Sequence, residues 1–334
     1  MAIRIAINGF GRIGRMVLRA GWGRSDIEFV HINDLTADDM LAYLLHRDSV
    51  HGTWGTEIKA VEGGISIDGK IIPTSAEKDP SKLPWKAENV DIVFECTGRF
   101  TDSAKAKVHI DAGAKRVIIS APAEGAIDAT FVVGINDHTY DASKHFVVSN
   151  ASCTTNCLAP MARVLHDLVG IERGVMTTIH SYTMDQNLLD SPHKKFRRAR
   201  AAGLNMVPTS TGAAKAIGLV IPELKGKLDG YAIRVPTPNV SLTDLTFVAK
   251  RATTKEEVNE AFRKAAASGP LKGILQACDE EIVSSDVNGN PYSSVVDLEL
   301  TTVVEGTLVK VYSWYDNEWG FSNRMLDLAK RMAG

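Results

Sequence analysis

One thiol set among hydroxyls and amides stands out in Asn150-Ala151-Ser152-Cys153-Thr154-Thr155-Asn156-Cys157. The run reads as a strand end, an N-cap region and a first helical turn. At a helix N-terminus the positive end of the dipole favours a thiolate, lowering the thiol from its free value of about 8.5 and making Cys153 more nucleophilic at neutral pH. Such a thiol still needs a base. Thr177-Thr178-Ile179-His180-Ser181-Tyr182-Thr183 ends a strand in His180, and a Cys/His pair on separate elements is the usual arrangement for an activated sulfur nucleophile. Spacing alone leaves Cys153 open between nucleophile and inert packing residue, and its polar neighbours favour chemistry. Cys157, one turn on, invites a disulfide or metal reading, but zinc sites show paired clusters and the sequence has no second one. Cys96 and Cys278 lack polar context and read as packing residues. His46, His51, His109 and His166 stand in no comparable constellation.

Two further segments suit small anions. Lys194-Lys195-Phe196-Arg197-Arg198-Ala199-Arg200 puts five cations in seven residues, which fits a phosphate ligand, an inter-subunit ion-pair network or a solvated charged face. Thr209-Ser210-Thr211-Gly212 precedes the helix-like Ala213-Ala214-Lys215-Ala216, hydroxyls leading into a helix start. A lone Arg234 closes an apolar strand before Val235-Pro236-Thr237-Pro238, where a guanidinium is unfavourable without an anionic partner.

At the N-terminus, Gly9-Phe10-Gly11-Arg12-Ile13-Gly14 follows the strand-like Ile3 to Ile7 and opens a helix-like run, with Asp34 placed 20 residues beyond Gly14. Each part has a task in a dinucleotide cradle. Gly9 makes the tight turn, Gly11 admits the pyrophosphate, Gly14 lets helix and strand pack, and the helix start offers free N–H groups to the anion. Asp34 is suited to accept from both ribose hydroxyls and to repel a 2′-phosphate, which favours NAD over NADP.

These residues need a frame. Strand-like segments at 27–32, 91–96, 116–120 and 130–133 alternate with helix-like ones such as 38–45, which predicts a mostly parallel sheet, and residues 56–72 carry Gly63-Gly64 and Asp68-Gly69 as hairpin turns. Beyond about residue 150 the strands at 174–180, 230–234, 242–250 and 308–314 are those of an antiparallel sheet. Met325 to Met332 predicts an amphipathic helix packing back on the first domain. The expected organisation is 1–151 for the dinucleotide, 152–316 for the thiol chemistry and 317–334 as the returning segment. The chain has 334 residues, 44% hydrophobic, with 38 basic and 40 acidic side chains and a formal charge of −2. That balance argues against a general nucleic-acid or membrane-surface binder. Four cysteines are too few for a disulfide scaffold, and no apolar run approaches the roughly 18 residues of a membrane span. A reduced, cytoplasmic protein is expected.

INGFGRIGR, SNASCTTNCLAP, TTIHSYT, RRARAA, PTSTGAAKA, RVPTPNVS and WYDNEWGFSNR resemble, in order and spacing, phosphorylating glyceraldehyde-3-phosphate dehydrogenases over the full chain. The resemblance implies an α/β chain with a Rossmann domain, an α+β catalytic domain with a mostly antiparallel sheet, and a homotetramer. It implies that Cys153 attacks the aldehyde of glyceraldehyde 3-phosphate, that His180 is the base, and that inorganic phosphate cleaves the resulting thioester to 1,3-bisphosphoglycerate. Thr183 and Arg234 then hold the substrate phosphate, while Ser152, Thr154, Thr211, Gly212 and Arg198 hold the attacking one. Arg12 and Ile13 meet the pyrophosphate, Asp34 the ribose, Ser120 the cofactor backbone and Asn317 the carboxamide. Lys78 replaces the family's frequent arginine near the adenine and Phe321 its frequent tyrosine beside the nicotinamide, changes expected to be tolerated, and Ser191 replaces an apolar residue before Pro192, a change expected to soften discrimination against a 2′-phosphate but to be outweighed by the charge of Asp34. An erythrose-4-phosphate dehydrogenase and a non-catalytic NAD- or nucleic-acid-binding protein on the same scaffold are the alternatives. Nucleic acid is not expected as the primary ligand.

Overall fold

A computed structural model describes residues 2–334. The chain divides into two compact units. One comprises the chain to Phe131, then Thr139–Ala151 and Ser322–Gly334, and the other Val132–His138 and Ser152–Phe321.

The first unit begins with β1 (Ile3–Asn8), buried on both faces as a central parallel strand requires, with Ile3, Ile5 and Ile7 on one face and Ala6 and Asn8 on the other. It runs through the glycine turn into α1 (Arg12–Gly21), then β2 (Ile27–Asn33) and α2 (Asp38–His46). The hairpin strands β3 (Ile58–Val61), β4 (Gly64–Ile67) and β5 (Lys70–Ser75) follow, turning at the two predicted glycine pairs. Next come β6 (Ile92–Glu95), the short helices α3 (Ser103–Ala106) and α4 (Val108–Asp111), β7 (Arg116–Ile119), β8 (Ala129–Thr130) and β9 (Val147–Ser149). The sheet order is β3-β4-β5-β2-β1-β6-β7-β9-β8, with every pair from β5 to β8 parallel. Strand order reverses between β1 and β6, the place where open α/β sheets bind ligands. The predicted strand 130–133 stops early. Val132 N donates to Asn136 Oδ1 and Gly134 N to Asp137 Oδ1, so side chains take the amides that a ladder would need.

The second unit opens with α5 (Cys153–Val169) and carries a mixed sheet of order β11-β12-β10-β13-β16-β15-β14. Its strands are β10 (Ile171–Ser181), β11 (Val207–Ser210), β12 (Leu228–Val235), β13 (Ser241–Ala249), β14 (Leu275–Cys278), β15 (Ser294–Val304) and β16 (Leu308–Tyr315). Four pairings are antiparallel, while β10–β12 and β14–β15 are parallel. Helices α5, α6 (Ala213–Val220) and α7 (Lys255–Ala267) pack on this sheet. Burial alternates along the whole of β13, one face in the core. The C-terminal helix α8 (Trp319–Ala333) begins six residues before the amphipathic pattern does. Asp316 accounts for that: its Oδ1 accepts from the amides of Glu318 and Trp319 at 2.9 and 2.8 Å, capping the extra turn.

Candidate active site

In the first unit the three glycines divide their work as the spacing predicts. Gly9 has φ +93°, and a Cβ there would lie 2.6 Å from Thr97 N; one on Gly14 would lie 2.3 Å from Gly9 O. A Cβ on Gly11 would meet nothing within 4 Å. That open face, at the start of a helix with no side-chain cap, borders a groove of about 560 Å³. Asp34 lines it, with Oδ2 accepting from Phe10 N at 2.7 Å and Oδ1 from Thr36 N at 3.0 Å. Lys78 lines the same groove. A clear backbone approach at an uncapped helix start and an oriented carboxylate fit an adenine dinucleotide with an unphosphorylated ribose. The Arg12 guanidinium is committed elsewhere, to Asp48, whose carboxyl is held at about 2 by Arg12 and two backbone amides against the opposing effect of burial. Arg12 and Ile13 are the first two residues of α1, and the Arg12 side chain is held by Asp48. Ser120 hydrogen-bonds the Cys96 thiol, which burial pushes up to about 12. Cys96 therefore has a polar partner and lines the groove, which its sequence neighbours did not suggest.

In the second unit Cys153 is the first residue of α5, and Ser152 caps that helix by accepting from Thr155 N at 3.0 Å. Ala151, just before the cap, adopts φ +56°, a strained turn for an alanine. His180 is the penultimate residue of β10, with Nε2 3.5 Å from Cys153 Sγ and Nδ1 2.7 Å from Ser181 O. A carbonyl only accepts, so Nδ1 carries the proton and Nε2 offers a lone pair to the thiol. Burial raises the Cys153 thiol, with the Arg234 charge opposing it, and burial together with Arg234 pushes His180 down to about 3. The expectation of a thiol lowered by the helix dipole is therefore corrected. Desolvation outweighs the dipole, and the resting pair is a neutral thiol beside a neutral imidazole.

Arg234 is the register partner of His180 on the adjacent parallel strand. Its Nη1 donates to Ser181 O at 3.0 Å and Thr183 Oγ1 at 3.3 Å, while its buried Nε finds no partner and the Asp185 carboxylate acts on it at longer range. Arg198 pairs with Asp185 and donates from Nε to Thr209 Oγ1 at 3.0 Å, yet its charge still reaches Arg234 and His180, lowering both. Thr211 Oγ1 accepts from Ala213 N at 3.1 Å, and Gly212 is the N-cap of α6 with no side-chain bond. Thr154 turns its hydroxyl inward to Tyr315 (2.8 Å), which also meets Thr178 at 2.9 Å. Asn317 Oδ1 accepts from Ser181 and Ser241 hydroxyls, both at 2.9 Å. Tyr315, edge-on to the His180 ring with centroids 6.0 Å apart, and Asp185 were not singled out in the sequence. Tyr315 adjoins Asp316 and Asn317 in the distinctive Trp314–Arg324 run, the one available hint.

A doubly wound dinucleotide-binding unit, and in the second unit a thiol–imidazole pair beside a guanidinium, fit an NAD-dependent oxidoreductase. The NAD-binding domain of glyceraldehyde 3-phosphate dehydrogenase matches residues 3–103 and the C-terminal domain of the same enzyme matches residues 152–317. The chain is 58% identical over 333 residues to glyceraldehyde-3-phosphate dehydrogenase 1 of Bacillus subtilis (strain 168), covering 100% of this chain and 99% of that protein. It is 60% identical over 334 residues to glyceraldehyde-3-phosphate dehydrogenase of Xanthobacter flavus, covering 99% of each. The chain belongs to the glyceraldehyde-3-phosphate dehydrogenase family.

Proposed function

We propose that the chain oxidises D-glyceraldehyde 3-phosphate with NAD and inorganic phosphate to 1,3-bisphosphoglycerate. The observation that carries this reading is His180 Nε2 presenting its lone pair to Cys153 Sγ beside the Arg234 cation. As sulfur bonds to the aldehyde carbon, His180 takes the thiol proton and then donates it to the developing oxyanion, giving a hemithioacetal. Bound NAD supplies the hydride acceptor. Loss of hydride from the substrate carbon, with the hydroxyl proton returning to His180, leaves a thioester on Cys153. Phosphate attack breaks the carbon–sulfur bond, releases the acyl phosphate and regenerates the thiolate, which is reprotonated. A thioester is required because it retains the oxidation energy that hydrolysis would dissipate.

Arg234 and Thr183 are assigned to the substrate phosphate. The attacking phosphate falls to Arg198, Thr211, Gly212 and the backbone at Ser152 and Thr154, and the carboxamide to the free amide of Asn317. The reading extends to a homotetramer, supported by exposed apolar side chains at Met184, Leu188, Phe196 and Leu204. No helix among the described residues is long and apolar enough to cross a membrane, and the need for a reduced thiol supports a cytoplasmic setting. The test is a steady-state assay in which NAD, NADP and phosphate are varied separately and the aldehyde is glyceraldehyde 3-phosphate or erythrose 4-phosphate. A higher kcat/KM for the erythrose sugar, or turnover independent of phosphate, overturns the proposal.

A further inference from the structure

Beneath the dinucleotide groove lies a buried polar cluster that the mechanism does not use. Asn33, Asn8 and Glu95 are register partners at the ends of β2, β1 and β6, so three polar side chains sit abreast where strand order reverses. Glu95 is 2% exposed and His109 fully buried. Asn8 Nδ2 donates to Glu95 Oε2 at 2.6 Å, and His109 Nε2 lies 3.0 Å from the same oxygen. Thr97 N donates to Oε1 at 2.8 Å, and the Thr97 hydroxyl donates to Oε1 as well. Trp85 Nε1 is 3.0 Å from His109 Nδ1. An indole N–H only donates, so Nδ1 of His109 is the acceptor and Nε2 carries the proton toward Glu95. The carboxylate thus collects four donors on two oxygens. On the far side Asn33 Nδ2 donates to Asn8 Oδ1 at 2.8 Å.

Asn8, Asn33 and Thr97 all line the groove, whereas Glu95, His109 and Trp85 stand behind them. Thr97 N is also the atom that leaves room for no Cβ at Gly9. We infer that Glu95 is a positioning residue for dinucleotide binding: it locks Asn8 and the Thr97 backbone, and through Thr97 the Gly9 turn, in the shape that receives the cofactor. The inference rests on the reading that NAD occupies this groove. Buried networks of this kind are rigid only while every member is satisfied. Glu95→Gln breaks the balance however the amide is turned, because its NH2 must face either the Thr97 donors or those of Asn8 and His109.

The experiment measures the NAD dissociation constant of the full chain by titration calorimetry, with KM for NAD, kcat at saturating NAD and the melting temperature alongside. Glu95→Gln is expected to raise the dissociation constant and KM together by about tenfold or more, since a bond to a charged group is lost and a donor is left unpaired. Its kcat at saturation and the alkylation rate of Cys153 without NAD stay near wild type. Asn8→Asp combined with Glu95→Gln moves the carboxylate to position 8, 3.4 Å from His109 Nε2 in the present arrangement, and again gives every donor an acceptor. The double variant is expected to recover most of the NAD affinity. Should Glu95→Gln not fold, Thr97→Val, weakened in NAD binding against a wild-type-like Thr97→Ser, carries the same test. Wild-type NAD affinity in Glu95→Gln or in Thr97→Val, a double variant no better than the single, or a fall in melting temperature without a change in affinity overturns the inference. Absence of NAD binding by the wild-type chain would instead overturn the reading of the groove.

Discussion

His180 and Arg234 leave neighbouring parallel strands at the same register, so an imidazole and a guanidinium emerge side by side at the strand ends. The cation acts on both halves of the thiol pair and in useful directions. Its charge lowers the Cys153 thiol against burial and lowers His180 further into the neutral range, where the ring can accept a proton.

Replacing His180 by Asn removes the acceptor of the Cys153 proton. Turnover is expected to fall by about 10²–10⁴, the range for loss of a general base, and alkylation of Cys153 by iodoacetamide at pH 7.5 to slow with it. An unchanged alkylation rate would show that the pair is not coupled.

Arg234→Leu should raise KM for glyceraldehyde 3-phosphate by roughly 100-fold or more, because a charge-assisted contact to phosphate is lost and about 1.4 kcal/mol is tenfold. With its counter-charge gone, the Cys153 thiol rises further, so the pH–alkylation curve moves to higher pH. A curve that moves to lower pH contradicts the electrostatics described above.

Stability carries the signature of His180. Unfolded, the ring has an ordinary value near 6.5, and folded it stands at about 3. The neutral form is therefore the one the fold accommodates. Stability is fully present above the unfolded value and is lost as pH falls from there toward the folded one, at up to roughly 1.4 kcal/mol per pH unit from this ring alone. Urea midpoints between pH 6.5 and 4 should fall more steeply for wild type than for His180→Asn, and parallel slopes would refute the assignment.

The glycine cradle separates stability from binding. Gly14→Ala drives a methyl into Gly9 O and should lower the melting temperature. Gly11→Ala has room in the protein, so it should fold normally and bind NAD more weakly. Loss of stability in Gly11→Ala with affinity intact would reverse these roles.

For cofactor choice, Asp34→Ala should raise the NADP/NAD ratio of kcat/KM, since an anion that opposes a 2′-phosphate is removed. A ratio that stays constant would leave discrimination to other residues.

Much of this arrangement was legible beforehand, for identifiable reasons. GxGxxG, the cysteine at a helix start and the strand-ending His180 and Arg234 each encode their geometry within a few residues. The register that sets His180 beside Arg234, and Asn8 beside Glu95, is a pairing between strands 54 and 87 positions apart, which no local pattern carries. Burial was the other unreadable quantity. The helix dipole at Cys153 follows from its place in the sequence, but desolvation depends on what the fold lays over the sulfur. His109 read as a bystander because its partners, Trp85 and Glu95, come from other elements. The cap of α8 was missed because Asp316 lies outside the amphipathic repeat that marks the helix.

Arg234 also sets a limit on how robust the molecule can be made. A half-buried guanidinium whose buried Nε has no partner, with the Asp185 carboxylate acting on it only from beyond ion-pair distance, is a standing penalty to folding. Selection for heat tolerance alone would replace it with an aliphatic residue, and the same replacement would strip the site of its grip on phosphate. On the proposed role of Arg234 in binding phosphate, the arginine exchanges thermal margin for substrate binding, and an Arg234→Leu chain should melt later than the one that works.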